Sequence, residues 1–295
     1  MKAPAFAYAR PNSLSAVFDL QDQYGAGATL LAGGQSLLPS LNMRLSSPQI
    51  LIDITAVPEL SGVTVSNGVL RIGALTTHAQ IAVSADIRRY LPLLSQAAPH
   101  IAHPAIRNAG TFGGSIAMAD PAAEWPACTV ALQAQLLLAS RGGQRRVKAS
   151  DFFRGLYDTA MQPGEVLLAA EFNLATAPQR SVFLELARRN GDYAIVGLAA
   201  CTSLEAGRFV ATRLVFLGAA SKPFSAAGAA AALNGVNAGD TEQIALATRV
   251  AQQTLSAELQ PDADLYNSAA TKLHLARVLT GRAIAALAAS PRNAS

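Results

Sequence analysis

The chain has 295 residues and a formal net charge of +4 at pH 7; 51% of its residues are hydrophobic and 14% are charged. This composition excludes a disordered chain, and the length favours two or three domains with a sizeable core. The small net charge argues against a nucleic-acid partner, and no apolar run approaches the roughly 18 residues of a membrane span.

The first segment predicts a small α/β unit over residues 1–57. Apolar residues at helical spacing in "SLSAVFDLQDQYG" predict a helix that Ser13 caps and Gly25 ends. The stretch "ATLLAGG" then indicates a short strand, "SLLPSLNMRL" one or two helical turns, and "QILIDIT" a strand buried on both faces. This β–α–β order is typical of an α/β unit.

The second segment, residues 58–177, has a different pattern. Two strands in "GVTVSNGVLRIGA" are joined by Asn67 and Gly68, which is a strong hairpin signal. We expect a helix over residues 77–99, a loop over residues 103–127, another helix, and a second hairpin in "QLLLASRGGQRRV". The basic residues of this second hairpin are expected to form a solvated turn rather than a nucleic-acid site.

A domain boundary is expected near residues 173–180. Beyond it, "SVFLELARR", "AIVGLAACTSLEAG" and "RFVATRLVFLGA" indicate three strands, and alanine-rich helices follow from Phe224 to Leu287. We therefore predict a C-terminal domain over residues 178–290, with a three-stranded antiparallel sheet and helices behind it, and a tail at residues 291–295. The predicted class of the whole chain is α+β.

Cys128 and Cys201 are the only cysteines in the sequence. Two thiols make no disulfide framework and do not hold an iron–sulfur cluster alone. The first residues, "MKAPAFAYARPNS", lack the apolar region of a signal peptide, so a reduced, cytoplasmic protein is expected. His100 and His103 have no acidic or thiol neighbour in the sequence, and no metal site is expected.

Two glycine pairs interrupt the regular elements, in "AGGQS" and in "GTFGGS". Without a Cβ, the backbone N–H groups at such a pair can turn toward one point and form an anion-binding nest, and a helix start beside it favours phosphate. Together the two pairs predict a pyrophosphate held from both sides. For either pair alone, a plain turn is an equally good interpretation. The sequence has neither a P-loop motif nor the spacing of the dinucleotide fingerprint.

Three further residues are candidates for ligand contact. Asp120 either caps a helix that Pro121 opens or accepts hydrogen bonds from sugar or ribityl hydroxyls. His78 is either a ligand contact or an ordinary histidine at a helix start. Tyr193, in "ARRNGDYAIV", either belongs to a charged hairpin turn or packs on a planar ligand.

The motifs "AGGQSLLPSLNMRL", "HPAIRNAGTFGGSIAMADPAAEWPA" and "ELARRNGDYAIV" together resemble the FAD-binding medium subunit of the molybdenum hydroxylases. This family includes the carbon monoxide dehydrogenase medium subunit and the flavin domain of xanthine dehydrogenase. The resemblance runs over nearly the whole chain. It implies a two-subdomain FAD-binding fold of the vanillyl-alcohol oxidase (PCMH) type, followed by a smaller C-terminal domain.

The resemblance also implies which residues bind noncovalent FAD. The two glycine loops would hold the pyrophosphate, Asp120 would contact the ribityl side and Tyr193 would lie over the isoalloxazine. Ile101 and Met161 would line the adenine or dimethylbenzene region, and His78 lies in a segment that usually contacts FAD. The implied set is Ala32, Gly33, Gly34, Gln35, Ser36, Leu37, His78, Ile101, Thr111, Gly113, Gly114, Ser115, Asp120, Met161 and Tyr193.

This sequence departs from the family pattern at two of these positions. Many members have histidine where Gln35 stands, and some have aspartate where Ser115 stands. Glutamine and serine both donate hydrogen bonds, so FAD binding is still expected, with a flavin potential that can differ.

The resemblance implies an oxidoreductase subunit with no catalytic acid or base of its own. A large partner subunit with the molybdopterin cofactor would hydroxylate the substrate. A small partner subunit with two [2Fe-2S] clusters would pass electrons to FAD and on to an external acceptor, in a dimer of heterotrimers. N-heteroaromatics, aldehydes, purines and carbon monoxide stay open as substrates, and NAD, oxygen, a quinone and a cytochrome as acceptors.

Two other interpretations stay open. One is a single-chain FAD-dependent oxidoreductase of the same superfold, which would need a substrate-facing acid or base. The other is a scaffold subunit that has lost its flavin, against which the two intact glycine pairs argue.

Overall fold

The computed structural model describes residues 2–289, so the predicted tail at residues 291–295 lies outside the described residues. The elements of the first unit are β1 (Ala7–Ala9), α1 (Leu14–Tyr24), β2 (Ala28–Leu31), α2 (Leu37–Asn42) and β3 (Ile50–Asp53). The strands form a parallel sheet in the order β1-β3-β2, which confirms the predicted small α/β unit.

The local chemistry of this unit follows the sequence closely. The Ser13 hydroxyl accepts a hydrogen bond from the N–H of Ala16 and so begins α1, as predicted. All four residues of β3 are buried, in agreement with their continuous apolar pattern. Strand β1 was not predicted, because its three residues are exposed or half-buried and only the pairing with β3 defines them. The first glycine pair follows β2 at its carboxyl end, where ligands bind in open α/β sheets.

The second unit is built on a five-stranded antiparallel sheet. Its elements in chain order are β4 (Val63–Ser66), β5 (Val69–Gly73), α3 (His78–Val83), α4 (Ala85–Tyr90), α5 (Pro92–Ala97), α6 (Pro104–Ala109), α7 (Phe112–Met118), α8 (Glu124–Ala131), β6 (Gln135–Ser140), β7 (Gly143–Lys148), α9 (Ala149–Phe152), β8 (Phe153–Gly155), β9 (Asp158–Thr159) and β10 (Val166–Asn173). The sheet order is β4-β5-β10-β6-β7, and β8 pairs with β9. Asn67 and Gly68 turn the first hairpin, both at positive φ, as predicted.

Two predictions for this unit are wrong. The single helix expected over residues 77–99 is three short helices, because Ser84 ends α3 and caps α4, and Pro92 excludes helical backbone at the residue before it. The loop expected over residues 103–127 contains α6, α7 and the start of α8. Such short, glycine-rich and proline-rich helices show no apolar periodicity, so only their caps and packing reveal them.

The basic hairpin between β6 and β7 is present, as predicted. Its arginines are paired within the chain. Arg141 contacts two aspartates on α1, at residues 19 and 22, while Arg145 pairs with Glu165 and Arg146 pairs with Glu171. These pairs neutralise most of the local charge, and those of Arg141 tie the hairpin to the first unit.

The third unit contains β11 (Arg180–Ala187), β12 (Ala194–Glu205), β13 (Arg208–Leu217), β14 (Phe224–Ser225), α10 (Ala227–Ala231), α11 (Thr241–Glu258) and α12 (Ala269–Ala289). In the described part of the chain its antiparallel sheet has four strands in the order β11-β12-β13-β14, where three were predicted. The missed strand is two residues long, too short for an alternating pattern, and it lies where the helical region was expected to begin.

The C-terminal sheet is covered on both faces. Val196 and Leu198 on β12 pack with the alanine-rich helices, while Ala199 and Cys201 pack into the core of the second unit. From the second unit, α5 and α8 lie against this sheet. These contacts fix the third unit to the second. The turn between β11 and β12 therefore lies beside the cavity described below. Within residues 2–289, no helix is both long and apolar enough to cross a bilayer.

Candidate functional site

The three units meet around one cavity of about 610 Å³. This size lies within the roughly 300–1,000 Å³ that is usual for small-molecule sites. All fifteen residues predicted from the sequence line it: Ala32, Gly33, Gly34, Gln35, Ser36, Leu37, His78, Ile101, Thr111, Gly113, Gly114, Ser115, Asp120, Met161 and Tyr193. We call residues 32–37 the first loop and residues 110–115 the second loop.

The first loop connects β2 to α2 and leaves its backbone donors unused. Gly34 has a φ of +70°, in the left-handed region that glycine adopts most readily. From residue 33 to residue 37, the backbone N–H groups donate to no acceptor in the described chain. Ser36 at the start of α2 makes no side-chain cap. Unused N–H groups at a helix start beside a cavity form a site for an anion.

The second loop uses most of its N–H groups inside the protein. The N–H of Phe112 donates to the carbonyl of Thr76 at 2.9 Å, and that of Gly113 donates to the carbonyl of Ala74 at 2.7 Å. The next two N–H groups both donate to Thr111, one to its hydroxyl and one to its carbonyl. The prediction of an N–H nest in both loops is therefore wrong for the second loop, which offers mainly the Thr111 and Ser115 side chains.

Gly33 and Gly113 have no room for a side chain. A Cβ added to Gly33 would overlap the carbonyl oxygen of Ala109, so the first and second loops touch through their backbones. A Cβ added to Gly113 would overlap Ala74 at the end of β5. At these two positions the missing side chain lets the protein's own backbone approach, a reason that the sequence interpretation, centred on phosphate, did not include.

His78 begins α3 behind a capping box formed by Thr77 and Gln80. Its ring is buried, and the Nε1–H of Trp125 donates to His78 Nδ1 at 2.9 Å. Burial, with a smaller contribution from the Arg107 charge, lowers the pKa of His78 from 6.5 to about 4. Trp125 was missed, although it is the single tryptophan of the chain and lies inside the second recognised motif.

Arg107 also holds the segment that carries Ile101. Its Nη1 donates to the carbonyl oxygens of Ile101 at 2.8 Å and Ala102 at 2.7 Å. Ala102 has a positive φ of +41°, so the segment bends sharply at this point. This role of Arg107 could not be predicted, because it depends on the short helix α6, where a loop was expected.

Asp120 and Tyr193 line the cavity, and Tyr157 contacts Asp120. Asp120 Oδ1 accepts a hydrogen bond from the N–H of Ala122 at 2.9 Å, and α8 begins only at Glu124, so the interpretation of Asp120 as a helix cap is wrong. The Tyr157 hydroxyl donates to Asp120 Oδ2 at 3.4 Å. Tyr193 is 70% exposed and lines the cavity from the third unit.

Ion pairs organise the turn before Tyr193. Asp192 pairs with Arg188 at 3.4 Å and with Arg189 at 3.5 Å, and the Arg188 guanidinium also lies over the Tyr266 ring. The charged-turn interpretation of this cluster is therefore confirmed. The same turn presents Tyr193 to the cavity, so the two interpretations are compatible.

Glu124 is a cavity residue that was not predicted. It is buried, and burial, with a smaller contribution from Asp120, raises its pKa from 4.5 to about 7. Glu185 on β11 is buried as well, and burial followed by the Glu124 charge raises its pKa to about 8. Its Oε2 has no hydrogen-bond partner among the described residues, and its Oε1 lies 4.0 Å from His100 Nδ1.

Across residues 2–289 no three His, Cys, Asp or Glu side chains are grouped to hold a metal ion.

Comparison with known families accounts for this arrangement. Residues 4–172 match the family model described as the FAD binding domain in molybdopterin dehydrogenase, and residues 181–287 match the CO dehydrogenase flavoprotein C-terminal domain. The chain belongs to the FAD-binding medium subunits of the molybdenum hydroxylases. It is thus an oxidoreductase subunit of a multi-subunit enzyme with FAD as its cofactor, and the resemblance drawn from the motifs is confirmed.

Individual relatives of this medium subunit match it over most of its length. The chain is 42% identical over 224 residues to the 6-hydroxypseudooxynicotine dehydrogenase complex subunit alpha of Paenarthrobacter nicotinovorans, covering 75% of each protein. A chain of quinoline 2-oxidoreductase from Pseudomonas putida 86 is 38% identical, with a TM-score of 0.90 and 98% of each chain covered. A chain of carbon monoxide dehydrogenase from Hydrogenophaga pseudoflava is 34% identical, with a TM-score of 0.92 and 97% and 98% covered. These structures confirm the predicted fold class.

The cavity of the medium subunit fits FAD. The unused N–H groups of the first loop suit the negatively charged diphosphate, and the carboxylate of Asp120 can accept hydrogen bonds from hydroxyl groups. Apolar side chains such as Ile101 and Met161 suit a flat ring system. The residues that are present can therefore hold each chemical part of the cofactor.

Proposed function

We propose that this subunit binds FAD noncovalently between its two glycine loops and passes electrons from [2Fe-2S] clusters of a small partner subunit to an external acceptor. A large partner subunit with the molybdopterin cofactor would carry out substrate hydroxylation, in a dimer of heterotrimers. The domain limits at residues 57, 177 and 290 and the cytoplasmic location stay predictions.

One observation carries this proposal: residues from three separate segments of the chain converge on one cavity next to unused backbone donors. The five N–H groups from residue 33 to residue 37 have no acceptor in the described chain. Five unpaired donors at the start of a helix are costly unless water or a ligand satisfies them. A diphosphate supplies the acceptor oxygens that these groups lack.

Each group of residues has a task in this proposal. The first loop would bind the diphosphate through its N–H groups, and Thr111 and Ser115 would add hydroxyl donors from the second loop. Asp120 would accept hydrogen bonds from the ribityl chain and so fix the position of the ring system. Tyr193 would cover one face of that ring system and limit the access of water. Bound FAD supplies the redox chemistry, which takes electrons from the partner and gives them to the acceptor.

The mouth of the cavity suits the docking of an acceptor. Met118 and Tyr193 are exposed side chains that line the cavity, and the exposed Tyr157 contacts Asp120, which lines it as well. An exposed apolar patch beside a ligand cavity is typical of a binding surface. In this proposal the substrate is chosen in the large subunit, so the substrates named for the relatives do not identify the substrate here.

Direct oxidation of substrate by this subunit alone, as in a single-chain oxidoreductase, is a second candidate activity because of Glu124. A buried carboxyl in the cavity wall with a pKa raised to about 7 is the type of group that serves as an acid or base at neutral pH. The lone chain, loaded with FAD and supplied with heteroaromatic substrates and a dye acceptor, separates the two functions. The electron-transfer proposal expects no turnover, whereas steady turnover that Glu124→Gln abolishes would establish direct oxidation by this subunit alone.

The visible spectrum of the purified chain tests cofactor binding directly. We expect flavin bands after reconstitution with FAD and complete release of the yellow colour on acid precipitation, since both cysteines are buried in the core rather than at the ring site. Colour that stays in the pellet would contradict noncovalent binding. A chain that takes up no FAD, although correctly folded by circular dichroism, would support the flavin-free scaffold instead.

The partner assembly needs a separate experiment. The tagged subunit, expressed together with its neighbouring genes, is expected to purify with two further chains that carry molybdenum and iron. Purification of a folded, flavin-loaded chain without such partners, from cells that produce them, would contradict the heterotrimer.

A further inference from the structure

The environment of His78 fixes the position of its ring proton. The ring is 6% exposed, and its Nδ1 accepts the hydrogen bond from Trp125 Nε1–H at 2.9 Å. An indole nitrogen is a donor only, so Nδ1 must be the acceptor and carries no proton. A neutral imidazole has one proton, which therefore lies on Nε2.

The charged groups around the ring favour the same neutral form. Of the elements that contact α3 or the His78 ring, α6 contributes the positive charge of Arg107 and α5 has no titratable side chain. Helix α8, which carries Trp125, contributes Glu124, whose pKa burial raises to about 7. The turn at residues 98–100 contributes His100, whose ring contacts Phe183 instead. Protonation of His78 would also set two N–H groups against each other at the Trp125 bond. The ring is thus neutral over the physiological pH range.

The Nε2 edge of this ring lies against the second loop at the cavity. A Cβ added to Gly110 would come within 2.7 Å of His78 Nε2, so the bare backbone of Gly110 lets the imidazole approach. The carbonyl of Gly110 accepts a hydrogen bond from the His78 backbone N–H at 3.0 Å, which holds the start of α3 against the loop. His78 lines the cavity, and its Nε2 has no hydrogen-bond partner within residues 2–289.

We propose that Trp125 is a positioning residue that fixes His78 as a neutral Nε2–H donor toward the FAD cavity, where it donates to an oxygen atom of the bound cofactor. This inference rests on the proposed FAD site. It assigns His78 one hydrogen bond of fixed direction and excludes a role as a proton carrier near neutral pH. It also gives Trp125, which does not line the cavity, a role in ligand binding.

Two amide substitutions separate the nitrogen atoms of the ring. In His78→Gln the side-chain amide can place an N–H near the position of Nε2, whereas His78→Asn can replace only Nδ1. We expect the FAD dissociation constant of His78→Gln to stay within about threefold of wild type and that of His78→Asn to rise by about tenfold, the range of one net hydrogen bond. The measurement is fluorescence titration of the apo chain with FAD. Equal effects of the two variants would overturn the proposal.

Nitrogen NMR on the apo chain tests the ring proton without any cofactor. The chain has four histidines, so the His78 signals are those that disappear in His78→Gln. We expect ring nitrogen shifts of the Nε2–H tautomer that stay constant from about pH 5 upward, because the pKa of His78 is lowered to about 4. An Nδ1–H tautomer, or a titration near the ordinary pKa of about 6.5, would overturn the proposal.

The role of Trp125 itself is tested by Trp125→Phe. Without the indole N–H we expect His78 to populate both tautomers, to titrate at a higher pH, and to lose FAD affinity by about three- to tenfold. Phe172→Leu, a truncation of a buried aromatic residue on β10, is the control for packing and should leave the His78 signals and the FAD affinity unchanged. Unchanged His78 signals in Trp125→Phe would refute the positioning role. A wild-type chain that binds no FAD would refute the proposed function, and the apo spectra would still decide whether the ring proton is fixed.

Discussion

The first and second loops look alike in sequence but differ in how they use glycine. In the first loop, Gly34 turns the chain at positive φ and the following N–H groups stay unpaired in the described chain. In the second loop, Gly113 lies against Ala74 and the N–H groups bond to the protein itself. The first loop therefore has free backbone donors for a ligand. The second loop forms part of the cavity wall, and the first loop packs against its backbone. A glycine pair does not by itself show which of these two roles it has.

The largest effect is expected from Gly113→Val. The added Cβ would overlap the Ala74 backbone, and two further methyl groups would have no room beside it. Overpacking of this kind lowers the free energy of unfolding by about 1–3 kcal/mol. Because the added atoms overlap backbone, we expect a loss of about 3 kcal/mol or more. The measurement is urea unfolding of the apo chain. Wild-type stability with FAD affinity alone reduced would show that this loop, too, serves mainly the ligand.

The matched pair Gly34→Ala and Gly114→Ala should separate ligand binding from packing. Alanine at Gly34 must adopt a φ of +70°, which costs about 1–2 kcal/mol, or else turn the N–H groups away from the cavity. Gly114 has an ordinary φ, and its added Cβ would meet only the Thr111 hydroxyl, at 2.7 Å. We expect FAD affinity to fall by about tenfold or more in the first variant and less in the second. Equal losses in flavin titrations would show that both loops contribute donors alike.

Two buried glutamates outside the loops, Glu124 and Glu185, make the stability of the apo chain depend on pH. The first loop has no titratable side chain. The folded pKa values of Glu124 and Glu185, about 7 and about 8, lie above the ordinary 4.5. The folded chain therefore keeps protons that the unfolded chain releases. The stabilisation from these neutral carboxyls is fully present below pH 4.5 and is lost as the pH rises through 7 and 8.

The variant Glu185→Gln tests this pH dependence. For each proton that only the folded state retains, the free energy of unfolding falls by about 1.4 kcal/mol per pH unit. Glutamine is neutral at every pH, so the variant should gain stability over wild type as the pH rises from 5 to about 8. Unfolding in urea at several pH values measures the difference, with Glu59→Gln at an exposed position as control. Parallel curves for wild type and Glu185→Gln would contradict a protonated Glu185.

Features of the fold and the site that arise from neighbouring residues could be predicted from the sequence, whereas features that depend on distant residues could not. Ser13, the Asn67–Gly68 turn and the apolar strand β3 follow from neighbouring residues, and the sequence was sufficient for them. All fifteen predicted residues line the cavity, and all but His78, Ile101 and Met161 lie within the three motifs that carried the resemblance. The use of each N–H group could not be predicted, since the acceptors at Ala74 and Thr76 come from a distant strand end. The Trp125–His78 bond also joins residues 47 positions apart.

A smaller effect is expected from the two hydroxyl residues at the helix starts. The Thr111 hydroxyl accepts the N–H of Gly114 at 3.1 Å and caps α7, whereas Ser36 makes no cap bond at α2. We expect Thr111→Ala to lower the free energy of unfolding of the apo chain by about 1 kcal/mol and Ser36→Ala to leave it unchanged. Denaturant titration of both variants measures this. A loss of stability in Ser36→Ala would mean that the first loop is also held together by its own side chain.

The smallest effect on stability is expected at Tyr193, which belongs to neither loop and is 70% exposed. Partial loss of water contact beside its neighbours, followed by the charge of Asp120, raises the pKa of its hydroxyl above 10, so the group stays protonated and is a poor base. Its ring can still pack on a flat ligand. Tyr193→Phe should therefore keep near-normal electron flow to the acceptor, while Tyr193→Ala should shift the flavin spectrum and potential and admit oxygen faster. Stopped-flow reoxidation and redox titration of each assembled variant measure this. If phenylalanine reduces electron flow as much as alanine does, the hydroxyl rather than the ring is the group that acts on the flavin. If neither variant changes the flavin, Tyr193 is only part of the turn that Asp192 and the arginines hold.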